Sequence, residues 1–327
     1  MPSLASLSLQ HRRKAYLFTP AHIGRLVDAG LADHITAAIP AWTGVADPGR
    51  AALMIEERQR ETVLRHITEV SAAFPQARLP AIDFQFVRTS IPNAFTARVA
   101  KDDSHAIGLD HGVSNLLHIL FVAAMAAHQT GEFQIFSLFA VKLVGLFHVA
   151  DVVEGFEEEL SMLLGICEHS PASTRDIVDG FGKAVVDFVV THELGHVALG
   201  HFRRAVAPSL TAAGETIAVS AFDHEREFEA DAWAMHAMLR IAGDDVRKLT
   251  FAAATPFLCM TMMAYASRLH EPSTDVGRLL LRTHPPERER AARLRALASA
   301  QTERVPATNA LALMVGIDDF LRKNMDA

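Results

Sequence analysis

Residues 192–196 read His-Glu-Leu-Gly-His. The run before them, FGKAVVDFVVT, carries no helix breaker beyond Gly182, so the motif is expected inside a helix. Residues four apart stand on one helix face, close enough to share a metal ion. Neutral imidazole nitrogen is a good zinc donor, at about 2.0–2.1 Å. Glu193 falls on a neighbouring face, beside such an ion rather than on it, where a carboxylate can take a proton from an activated water. This motif constrains the fold more than any other feature. A catalytic zinc keeps three protein ligands and one open position, so a second element has to reach the helix that carries His192 and His196.

The third ligand does not follow in the same stretch. A one-segment site would need glycine three and histidine six residues beyond His196, where Leu199 and Phe202 stand. Gly200 and His201 are near but out of register, and His201 is expected to cap carbonyls at the helix end. A later helix is the alternative. Residues 224–235, HEREFEADAWAM, are strongly helical and offer Glu225, Glu227 and Glu229. Glu227 shares a face with Asp231, Ala234 and Met238 that can pack inward. Glu225 and Glu229 share one with His236 and Arg240 that reads as solvated. Glu227 is therefore the expected third ligand. Asp231, one turn on, is placed to accept the second ring N–H of a zinc histidine and fix its tautomer.

The rest of the chain supplies the frame. Residues 1–75 read as an N-terminal helical segment, interrupted by Pro40 and Pro48. Pro75 and Pro80 mark a change, after which Ile82, Phe84 and Phe86 alternate with polar neighbours at strand period. Residues 94–100 and 105–109 are two further strand candidates. From Gly112 onward the pattern is helical almost to the end. The expected class is α+β, mostly helical, with a small early sheet and an active-site helix in a domain spanning 76–327. Residues 128–175 read as a helical insertion into that domain.

Three stretches are markedly apolar: 113–127, 133–153 and 251–266. His118 interrupts the first, Lys142, His148 and Asp151 the second, and Pro256 the third. A spanning helix needs roughly 20 mostly apolar residues, so buried core helices are the favoured reading over membrane insertion. The N-terminus has no apolar run behind its basic residues, and the expected compartment is the cytoplasm. Two cysteines 92 positions apart, Cys167 and Cys259, suit a reducing compartment and neither a disulfide framework nor cysteine metal ligation. A net charge of -7 gives no electrostatic reason to expect nucleic acid.

Four segments, in order, resemble the gluzincin peptidases that include the HtpX heat-shock proteases and the CAAX prenyl proteases. Ile91-Pro92-Asn93-Ala94-Phe95 matches that family's PNAF segment before its edge strand. Thr191 to His196 matches the zinc helix, and Arg226-Glu227-Phe228-Glu229-Ala230-Asp231 the element that supplies the third ligand. Thr283-His284-Pro285-Pro286 with Arg290 matches the C-terminal THPP element. The resemblance covers about residues 80–295. It implies a zincin-like fold and a zinc-dependent endopeptidase with one Zn2+ per chain, acting on a protein or peptide substrate. It also implies that His284 helps to stabilise the oxyanion, that Arg290 braces the site, and that Asn93, Ala94 and Phe95 lead into the substrate's edge strand. Two departures stand out. No clear spanning helix accompanies the core, and Asn93 and His192 are 99 positions apart. A catalytically silent or autoinhibited zinc protein, and a membrane-associated peptidase with 113–153 inserted, are the alternative readings.

Overall fold

The computed structural model describes residues 48–87, 94–99, 104–148, 172–203, 209–212, 215–218, 224–269, 285–301 and 303–325. Helix α1 (Pro48–Ala73) leads into a three-stranded sheet of β1 (Ile82–Val87), β2 (Ala94–Val99) and β3 (Ser104–Asp110). Then follow α2 (His111–Thr130), α3 (Phe133–His148) and the long α4 (Ala172–Ala198). A small hairpin, β4 (Ser209–Ala212) with β5 (Glu215–Ala218), precedes α5 (His224–Ala242) and α6 (Val246–Leu269). Helices α7 (Glu287–Ser299) and α8 (Asn309–Met325) close the described chain. The protein is α+β and mostly helical, with its sheet early in the chain.

The sheet order is β1-β3-β2, with β1 parallel and β2 antiparallel to β3. The alternation in the sequence has its expected effect. Phe84 and Phe86 turn into the core, edge to face with each other. All three strand candidates are strands. Strand β2 lies at one edge, beside α4.

Helix α4 lies in the middle of the molecule, contacting α1, α2, α5 and α6. Its apolar side chains Phe181, Val185 and Phe188 are fully enclosed, and Phe181 stacks on Phe121 of α2 with centroids 4.0 Å apart. Burying a side chain of that size stabilises by roughly 1.5–3 kcal/mol. Such a core keeps the helix from shifting under the charged groups it carries.

Helix α6 is apolar nearly all round, the pattern of a helix enclosed on every side. Pro256 inside it removes one backbone hydrogen bond, a cost of about 3 kcal/mol in a helix interior, set against the burial of Phe251, Phe257, Leu258 and Met262. Among the described residues it is the one helix long and apolar enough to cross a membrane, and 94% of its most apolar window is buried within the protein. Helix α2 is packed as deeply from Leu120 to Ala127. Of the expected insertion at 128–175, the described part is mainly α3, which packs on α2 and α6 and leaves Leu138 and Val141 exposed. Residues 149–171 lie outside the described residues.

Candidate metal centre

Helices α4 and α5 approach closely where Gly195 faces Ala230. A Cβ at Gly195 would stand 3.2 Å from the Ala230 backbone and 3.3 Å from Trp233. This approach brings the acidic face of α5 onto the histidine face of α4. His192 Nε2 and His196 Nε2 are 3.2 Å apart. Glu227 straddles them, with Oε2 3.4 Å from His192 Nε2 and Oε1 3.5 Å from His196 Nε2. All three residues are buried.

These spacings can be tested against a metal. Tetrahedral donors at about 2.0–2.1 Å from one zinc ion lie about 3.3 Å from one another. The observed separations bracket that value. The donor set, two imidazoles and a carboxylate, is that of a catalytic zinc site with a position left open. The residues present therefore fit a divalent metal of zinc type. Among the described residues this is the one cluster of three His, Cys, Asp or Glu groups arranged in this way.

Each histidine has its own support. His192 Nδ1 lies 2.9 Å from Asp231 Oδ1. Arg290 of α7 holds that aspartate in a two-pronged grip, with Nε and Nη2 each donating over 2.7 Å. A third guanidinium nitrogen lies 3.8 Å from Glu227. Burial works against charge on His192, but Asp231 and Glu227 outweigh it and raise its pKa to about 10. A metal must displace that proton to bind, so binding releases it. Burial, with His192 nearby, drives His196 well below the ordinary imidazole value, which keeps its ring in the neutral form that ligates.

Glu193 is buried one residue past His192. Thr96 of β2 donates its hydroxyl to Glu193 Oε2 over 2.8 Å, tying the sheet edge to the carboxylate. Burial raises the Glu193 pKa, with His192 and the Thr96 hydrogen bond opposing. A carboxylate lifted above its ordinary range is a stronger base.

His201 does not end the helix as expected. Gly200, at a left-handed φ of +70°, turns the chain back, and His201 Nδ1 comes within 2.8 Å of His196 Nδ1. The other His201 ring nitrogen lies 3.1 Å from Glu229 Oε2. Glu229 is half exposed, as its helix face predicted, yet its carboxylate serves the buried ring. His66 of α1 likewise holds Thr191, the residue before His192, over 2.7 Å.

The structure thus brings together His192, Glu193, His196, Glu227, Asp231 and Arg290. Ala94 and Phe95 stand at the start of β2, two and one residues before Thr96, with Phe95 packed over Gly108. His284 and Asn93 lie outside the described residues. Sequence reasoning missed Thr96, His66 and the pair His201–Glu229. A histidine five residues past the motif and preceded by glycine was the available signal for the last.

A family model described as Peptidase U49 matches residues 168–310. That span holds His192, His196, Glu227 and Arg290. No curated protein and no solved structure matches the chain significantly. The peptidase-family match and the His–His–Glu cluster together support a peptidase, and they fit a metallopeptidase.

Proposed function

We propose that this chain is a zinc-dependent endopeptidase of the gluzincin type, holding one zinc ion through His192, His196 and Glu227. The observation that carries the reading is the convergence of these three buried donors at metal-ligand spacing, beside a fourth buried residue, Glu193, that is not part of the set. When bound, zinc supplies a Lewis acid that makes water a usable nucleophile near neutral pH. Glu193 takes the proton from the attacking water and returns it to the leaving amine. Thr96 fixes which carboxylate oxygen is free to do so. Asp231 and Arg290 hold His192 in its ligating orientation. A peptide substrate lies extended along β2, whose outer edge offers backbone groups for strand addition, and His284 donates to the oxyanion. The working compartment is the cytoplasm. Zinc is favoured over harder cations by its donor set.

The test is elemental analysis of protein purified without added metal, together with peptide hydrolysis. Wild type is expected to hold about one zinc per chain, and Glu227→Ala almost none. Glu193→Gln keeps the metal and loses roughly 10²- to 10⁴-fold in turnover. Wild-type protein that takes up no zinc even on reconstitution overturns the reading. A fully active Glu193→Gln removes the base assignment alone.

A further inference from the structure

His196 turns Nε2 towards the metal position and Nδ1 away from it. Behind that Nδ1 stands His201 Nδ1 at 2.8 Å, and behind His201 stands Glu229 Oε2, 3.1 Å from the other ring nitrogen. One arrangement of protons satisfies this series. An imidazole that ligates through Nε2 carries its proton on Nδ1. His196 therefore donates to His201 Nδ1, which must be bare. His201 then carries its proton on Nε2 and donates it to the Glu229 carboxylate oxygen.

We propose that His201 and Glu229 are positioning residues for the metal: they fix His196 in the tautomer and ring orientation that ligate through Nε2. This rests on the metallopeptidase reading. The two ligating histidines are then held by different devices. His192 has a direct aspartate, locked by arginine from within. His196 has an imidazole between its ring and the carboxylate, and that carboxylate is half exposed at the surface. The local chain is shaped for this. Gly200 adopts a conformation that L side chains rarely enter, which lets a residue five positions on return to the ring it supports.

The experiment is a zinc titration of metal-free protein against a chromophoric chelator, with the visible spectrum of the cobalt(II) form as a second readout. His201→Leu removes the acceptor and is expected to weaken zinc binding 10- to 100-fold and to alter the cobalt spectrum. His201→Asn returns an oxygen to the place of Nδ1 and is expected to bind close to wild type. Glu229→Ala, at a half-exposed position that does not endanger folding, weakens binding in the same direction by less. Equal affinity in wild type, His201→Leu and Glu229→Ala overturns the proposal while leaving the metallopeptidase reading in place. So does an equal loss in His201→Leu and His201→Asn matched by equal losses of metal-free melting temperature, because that pattern is one of packing. A wild type that binds no zinc removes the functional reading, and this inference with it.

Discussion

Of the four arginines on helix α7, Arg290 and Arg295 each meet a buried aspartate from another helix. Arg290 is enclosed and gives both prongs to Asp231 of α5. Arg295 is partly exposed and divides itself between Asp318 and Asp319 of α8. The chemistry of the two pairs is the same, yet their carboxylates move in opposite directions. Burial alone would raise Asp231, but Arg290 outweighs it and holds the carboxyl below its ordinary range. Burial wins at Asp318, whose pKa rises despite Thr261 and Arg295. A buried ion pair keeps its charge where the geometry is two-pronged and closed. The first pair braces His192, and the second ties α6, α7 and α8 together through Thr261, Arg295 and Asp318.

Removing Arg290 should have the largest effect. Arg290→Leu leaves Asp231 charged and enclosed, which costs about 3–5 kcal/mol for a broken buried pair. Urea unfolding should show that loss, and zinc content should fall with it. A variant as stable and as metal-loaded as wild type would erase the distinction between the two pairs. Glu193 extends the comparison, since the partner hydrogen-bonded to its carboxylate is a hydroxyl rather than an arginine. Thr96→Val removes a hydrogen bond to a charged group, of the class contributing about 1.5–3 kcal/mol. Turnover should drop roughly tenfold because the carboxylate loses the hydroxyl that orients it, with zinc content unchanged. A parallel loss of zinc would show that Thr96 supports the helix instead of the base.

Asp318→Asn should have the smallest effect, about 1 kcal/mol at pH 7, with full metal content. Its pH dependence carries the sign. A folded-state pKa above the unfolded value means that the native protein holds the proton more tightly. Asp318 therefore contributes most when protonated, below the ordinary aspartate value, and that contribution is lost as pH rises through the folded value. The stability gap between wild type and Asp318→Asn should be larger at pH 4 than at pH 7. A gap that widens with pH would make Asp318 a second Asp231, and the contrast would collapse.

Most of the frame was legible because it is periodic. Alternating Phe84 and Phe86 marked a strand, and the inward face of Glu227 and Asp231 singled out one glutamate among three. Those patterns are local, and burial enforces them. The supports for the site are not local. Thr96 lies 97 positions from the carboxylate it bonds, and His66 lies 125 from Thr191. No period links such residues, because the link is made only when β2 and α1 dock on α4. His201 was close in sequence and still misread. A helix-end histidine caps carbonyls unless the chain reverses, and that reversal depends on the single backbone angle of Gly200.

Helix α1 reaches this centre as the first described element of the chain. Val63, Ile67 and Val70 anchor it in the core, Arg60 bonds the β1 backbone, and His66 holds Thr191, the residue that precedes His192. Seen this way, α1 belongs to the support of the candidate centre, because its His66 fixes the threonine beside His192 from 125 positions upstream.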